Sequence, residues 1–145
     1  MNRKVSILIV EGIEGNILSV LEALETREKN EIVALPNSET AIAYLNKEGD
    51  YTKAKTPDLI FIDLKLPKIN GIELLSFIKK DKKVRAIPVV VFASSWSETE
   101  VFECYQNHAN CIITKPVNFQ KFLEVIESIK DFWINIAQLP KIKDE

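Results

Sequence analysis

The chain has 145 residues, 46% apolar and 28% charged, a globular mixture with enough length for one buried core. Its 19 basic and 21 acidic residues leave a formal net charge of −2, so no basic field is available for nucleic acid. No apolar run approaches the roughly 18–20 residues that span a bilayer. Met1 to Val5 passes directly into a strand pattern without a signal peptide, so no membrane is expected and the expected compartment is cytoplasmic.

In chain order, Ser6–Val10 is a short branched apolar run that reads as a buried strand and stops at Glu11-Gly12. Ile13–Glu28 carries Ile17, Leu21 and Leu24 at helical spacing. Glu31–Leu35 is a second strand, and Asn37 is placed to cap a helix bearing Ala41, Ile42, Tyr44 and Leu45. Leu59–Ile62 is a third strand between Pro57 and Pro67, with Asp63 where it gives way to a loop. Asn70-Gly71 opens a helix whose apolar face is Leu74, Leu75 and Ile78. Ile87–Phe92 is a fourth strand. Ser97 and Glu100 match a capping box for a helix expected to turn Val101, Phe102 and Tyr105 inward. Asn110–Ile113 is a fifth strand broken by Lys115-Pro116, and a last helix runs from about Asn118 into the 130s.

Five alternations of short apolar strand and helix predict an α/β fold with a doubly wound five-stranded parallel sheet. In such sheets the C-terminal strand ends share one crevice. The first non-apolar features after their strands are Glu11-Gly12, Asp63, Ala93-Ser94-Ser95 and Lys115-Pro116. A carboxylate beside an ammonium and a second acid suits nucleophilic attack on phosphorus with a bridging cation. Asp63 as a mere turn cap is the bland alternative. Two other functions fit the topology less well. A flavodoxin-like cofactor binder would need a better phosphate loop than the acidic Gly12-Ile13-Glu14-Gly15. A phosphatase would need an acid near the nucleophile, where Lys65 stands. The cysteines, Cys104 and Cys111, are expected to be small buried apolar residues, and His108 a surface or helix-end residue.

Asp63-Leu64-Lys65-Leu66-Pro67, Asn70-Gly71 and Lys115-Pro116 together resemble a response-regulator receiver domain, and the resemblance covers essentially residues 1–145. Asp131-Phe132-Trp133 with Leu139-Pro140 is similar to the ending of the stand-alone cyanobacterial phytochrome-type receivers, giving one receiver with an extension over about 131–145. The resemblance implies a (βα)5, flavodoxin-like fold, and the chain is not expected to be an enzyme. It implies phosphoryl transfer in a phosphorelay from a sensor histidine kinase, phytochrome-like in this group, to Asp63. Lys115 would contact the phosphoryl oxygens. Glu11, Asp63 and the Lys65 backbone carbonyl would hold Mg²⁺.

Three positions depart from the family pattern. Gly12 replaces a metal-binding acid, so Mg²⁺ is expected to bind weakly or not at all, unless Glu14 reaches back. Ala93, five residues after Pro88, replaces the hydroxyl residue that bonds the phosphoryl group, and Ile112 replaces the switch aromatic. The family places that switch surface on the helix opening at Ser97 and on the fifth strand. Two readings remain open: a slow receiver, or a pseudo-receiver whose partners bind it without phosphorylation. In the last helix Phe122, Leu123, Ile126, Ile129, Trp133 and Ala137 trace one apolar stripe. Val125, Phe132 and Leu139 widen it. Val125, Phe132, Trp133 and Leu139 are therefore candidates for a homodimer interface, with a tail folded back on its own domain as the alternative.

Overall fold

The computed structural model describes residues 5–12 and 31–142. β1 (Ser6–Val10), β2 (Glu31–Leu35), β3 (Leu59–Asp63), β4 (Val89–Ala93) and β5 (Cys111–Thr114) form one parallel sheet in the order β2-β1-β3-β4-β5. β1, β3 and β4 are buried at every residue, which is why they read as unbroken apolar runs. The helices are α1 (Ser38–Leu45), α2 (Gly71–Lys80), α3 (Glu98–Gln106) and α4 (Phe119–Lys130). The helix expected over Ile13–Glu28, and Glu14 with it, lies outside the described residues.

Alternate strand residues supply the two faces of the sheet. Leu8, Val10, Ile60, Ile62, Val89 and Val91 pack with Ala41 and Leu45 of α1, Leu74, Leu75 and Ile78 of α2, and Cys104 of α3. Ile7, Ile9, Leu59, Phe61, Val90 and Phe92 pack with Phe122, Ile126 and Ile129 of α4. Helices on both faces of a parallel sheet confirm the doubly wound architecture. The reversal of strand order falls between β1 and β3, where ligands bind in such sheets.

Local chemistry sets the helix ends. Asn37 caps α1, its Oδ1 accepting from the Thr40 N–H at 2.8 Å. Asn70 and Ser97 form reciprocal capping boxes with Glu73 and Glu100. α3 ends on His108 at φ 68°, with the His108 N–H on the Tyr105 carbonyl and the Ala109 N–H on the Cys104 carbonyl. That is the Schellman pattern, so the exposed His108 terminates the helix through its backbone.

Several sequence expectations change. Ile87 lies before β4, in a turn where its N–H reaches the Val84 carbonyl at 3.0 Å. Lys79 Nζ fixes that turn by donating to the carbonyls of Ile87 (2.7 Å) and Arg85 (3.1 Å) and to Asn110 Oδ1 (3.2 Å). On α3 the inward residue is Cys104, fully buried, while Phe102 and Tyr105 are 66% and 51% exposed. Cys104 alone of this helix enters the core, and the bulkier Phe102-Tyr105 pair occupies the adjacent stripe. Burial raises the Cys104 thiol to about 11, with Glu100 and Glu103 adding to the effect, so it is an inert packing group. Cys111 is only half-buried, on an edge strand rather than in the interior.

After Lys130 the chain continues as a π-helical segment, Asp131–Ile136. Val125, Trp133, Ile134 and Leu139 are partly buried against the α4 face of the core. Three residues beyond Leu139, Ile142 packs against the opposite face. Of the four candidate interface residues, only Phe132 projects outward, 47% exposed, together with Ile136 at 64%.

Candidate functional site

The parallel register brings together Glu11 just after β1, Asp63 at the end of β3 and Lys115 just after β5. Val10 pairs with Ile62, so Glu11 and Asp63 stand side by side across the switch point. Lys115 follows β5, its N–H donating to the Ala93 carbonyl at 2.8 Å. Lys115 Nζ bridges the two acids, 2.8 Å from Glu11 Oε2 and 3.3 Å from Asp63 Oδ2. All three side chains are at least 90% buried, at 6%, 5% and 10% exposure. These contacts join residues 104 and 52 positions apart in the chain.

Two acids share one lysine here, and the balance falls on Glu11. Burial raises its carboxyl to about 7; the neighbouring Asp63 adds to the rise and Lys115 opposes it. Glu11 Oε1 is buried without a hydrogen-bond partner. A stability effect follows for the metal-free protein. The folded value of about 7 exceeds the unfolded 4.5, so the folded chain binds more protons between these pH values. The Glu11 contribution is therefore full below pH 4.5 and is lost as pH rises through about 7. In chelator, wild type should lose about 3 kcal/mol across that window relative to Glu11→Gln, as read by urea unfolding at each pH.

The β3–α2 loop shapes the other side. Asp63 Oδ1 accepts the Lys65 N–H at 3.1 Å. The Gly71 N–H donates to the Leu64 carbonyl at 2.9 Å, bringing the start of α2 against the strand end. A Cβ on Gly71 would stand 2.6 Å from the Asp63 carbonyl oxygen and 2.7 Å from Leu64 Cα. Both contacts are backbone and cannot give way. Gly71→Ala should therefore cost about 2 kcal/mol, seen as a lower urea midpoint with an unchanged slope, and should displace Asp63. The Asn70-Gly71 dipeptide was visible as a helix start; its close approach to Asp63 had no sequence signal beyond the glycine.

The departures are physical gaps. Gly12 contributes no side chain, and among the described residues no group of three or more His, Cys, Asp or Glu side chains assembles. Ala93 is fully buried and offers no hydroxyl. Ile112 is half-buried among the residues packed on the α1–α3 face. Sequence reasoning missed a further charged group: Glu100 appeared only as a capping residue, yet its Oε2 also accepts from Lys65 Nζ at 3.1 Å.

An acid pair and lysine at the switch point of a 2-1-3-4-5 parallel sheet define a receiver, and the chain belongs to that family: residues 7–127 match the response regulator receiver domain of two-component signalling. The chain is similar to response regulator Rcp1 of Synechocystis, 36% identical over 135 residues that make up 92% of each protein. Its fold superposes on the phosphorylated cyanobacterial phytochrome response regulator RcpA with a TM-score of 0.92 at 38% identity, covering 96% of this chain and 100% of that one. The Mn²⁺-bound form of Rcp1 gives a TM-score of 0.90 at 35% identity, with 94% and 99% covered. No helix among the described residues is long and apolar enough to cross a membrane.

Proposed function

We propose that this chain is a phosphoacceptor, taking a phosphoryl group on Asp63 from a sensor histidine kinase, and that the kinase is of the phytochrome type. The observation that carries the reading is the buried Lys115 ammonium held against the Asp63 carboxylate at 3.3 Å. In the transfer, the bond from the phosphohistidine nitrogen to phosphorus breaks and an Asp63 oxygen–phosphorus bond forms. The histidine leaves as neutral imidazole after taking up a proton. Lys115 offsets the charge on the phosphoryl oxygens at no cost in reorganisation, because Glu11 already holds it in place. The space beneath the three groups is about 10 Å³, so the donor approaches from the open C-terminal edge of the sheet.

The residues present fit a divalent cation. The unpartnered, buried Glu11 Oε1 beside Asp63 is a carboxylate oxygen lacking a hydrogen-bond donor, and the Lys65 carbonyl would be a third ligand. Mg²⁺ is the proposed ion, supported by the manganese-bound relative and by its preference for oxygen ligands. When bound, it would neutralise charge on the transferring group. A cytoplasmic receiver with a C-terminal extension completes the reading, and Phe132 and Ile136 are its candidate homodimer contacts.

Incubation with acetyl phosphate and Mg²⁺ should add the mass of one phosphoryl group to wild type and none to Asp63→Asn. No added mass, with a histidine kinase donor also failing, would overturn the proposal. It would leave a phosphorylation-independent interaction module, the reading that Ala93 and Ile112 favour.

A further inference from the structure

We infer that the Lys65–Glu100 ion pair carries the state of Asp63 to helix α3. The inference rests on the phosphoacceptor reading above. Lys65 links Asp63 to Glu100 by its two ends. Asp63 Oδ1 accepts the Lys65 N–H at 3.1 Å, and Lys65 Nζ donates to Glu100 Oε2 at 3.1 Å. Glu100 Oε1 accepts the Ser97 N–H at 2.9 Å, and the Glu100 N–H donates to Ser97 Oγ at 3.0 Å. One carboxylate therefore closes the first turn of α3 and ties that turn to the loop after Asp63. On β4 and β5, Ala93 and Ile112 carry no polar group that could relay a change.

The pair is built to be exchanged. Its side chains are 63% and 29% exposed, over an open cleft of about 470 Å³ lined by Leu64, Lys65, Leu66, Asn70 and Glu100 among others. Lys65 therefore has room to swing. Its ammonium is a compact charge on a flexible stem. A phosphoryl group on Asp63 places more negative charge near that stem than the single Glu100 carboxylate offers. Lys65 then turns toward the phosphoryl oxygens and releases Glu100. The start of α3 keeps its Ser97 cap but loses its tie to the site, and exposed Phe102 and Tyr105 ride on the helix that is freed. Lys65 and Glu100 are positioning residues in this scheme.

Amide hydrogen exchange over residues 98–106, with intact mass recorded in parallel, tests it on the full chain with and without acetyl phosphate and Mg²⁺. In wild type, phosphorylation should speed exchange in α3 by about two- to fivefold, the range expected for losing an exposed ion pair. Glu100→Gln keeps an oxygen for the Ser97 N–H but weakens the pair. It should show the faster exchange before phosphorylation and no further change after it, while still gaining phosphoryl mass. Lys65→Met should match it in the unphosphorylated state. Phosphoryl mass without any wild-type response in α3, or an equal response in Glu100→Gln, overturns the inference and leaves the phosphoacceptor reading standing. Absence of phosphoryl mass in every protein overturns both.

Discussion

Gly12→Asp should tighten Mg²⁺ binding by roughly ten- to a hundredfold, and adding Ala93→Ser should raise the yield of phosphorylated Asp63 further. The first change restores a carboxylate beside Glu11. A Cβ at Gly12 would meet only the Pro36 carbonyl oxygen at 3.5 Å, Pro67 Cδ at 3.7 Å and Leu66 Cδ2 at 4.0 Å, all ordinary contacts. The glycine is therefore not demanded by packing, in contrast to Gly71. At an effective dielectric of ~20, one more carboxylate about 4 Å from a cation attracts it by several kcal/mol before desolvation is charged against it. Water filling the same ligand position reduces the net gain to the stated range. The second change supplies a hydroxyl where Ala93 is fully buried. Serine adds one atom where threonine would add two, so it limits overpacking. A charge-assisted hydrogen bond to a phosphoryl oxygen contributes about 1.5–3 kcal/mol. Calorimetric titration with Mg²⁺ and phosphoryl mass after acetyl phosphate treatment read the two effects separately. Unchanged affinity in Gly12→Asp would mean that Glu11 and Asp63 do not face a cation site at all.

The site was legible in the sequence because a parallel sheet sends each strand's first polar residue to one edge. Glu11 and Asp63 each end an unbroken apolar run and Lys115 follows β5 directly, so fold and site were read from the same signal. Side-chain direction was less legible. In α3 the bulk of Phe102 and Tyr105 suggested the core, whereas the small Cys104 occupies it. Glu100 was recognised from its spacing to Ser97, a local pattern; its second bond spans 35 residues to Lys65 and leaves no trace in spacing. Gly71 is similar. A glycine required by close backbone approach is indistinguishable in sequence from one that opens a turn.

Deleting residues 131–145 should destabilise the domain by about 3–4 kcal/mol, because the extension is mostly part of the core. Trp133, Ile134 and Leu139 pack on the α4 face, and Ile142 packs on the other. Each is partly buried, and half of a fully buried apolar side chain is worth about 1 kcal/mol. The segment also crosses from one layer of the fold to the other, so its loss uncovers both. Had Trp133 and Leu139 been free for a partner, truncation would abolish association and leave monomer stability unchanged. The structure separates these roles by residue. Phe132 and Ile136 are exposed, Phe132 keeping one edge-on ring contact to Trp133 at 5.2 Å between centroids, so Phe132→Ser with Ile136→Ser should lower the unfolding free energy by no more than about 1 kcal/mol. Trp133→Ala alone should lower the unfolding free energy by about 2 kcal/mol, below the full cost of a buried tryptophan because this one is only partly buried. Sedimentation of the same proteins at tens of micromolar tests the homodimer independently. If the dimer forms through the outward stripe, the double serine variant should run as a stable monomer, whereas Trp133→Ala should still associate while unfolding earlier.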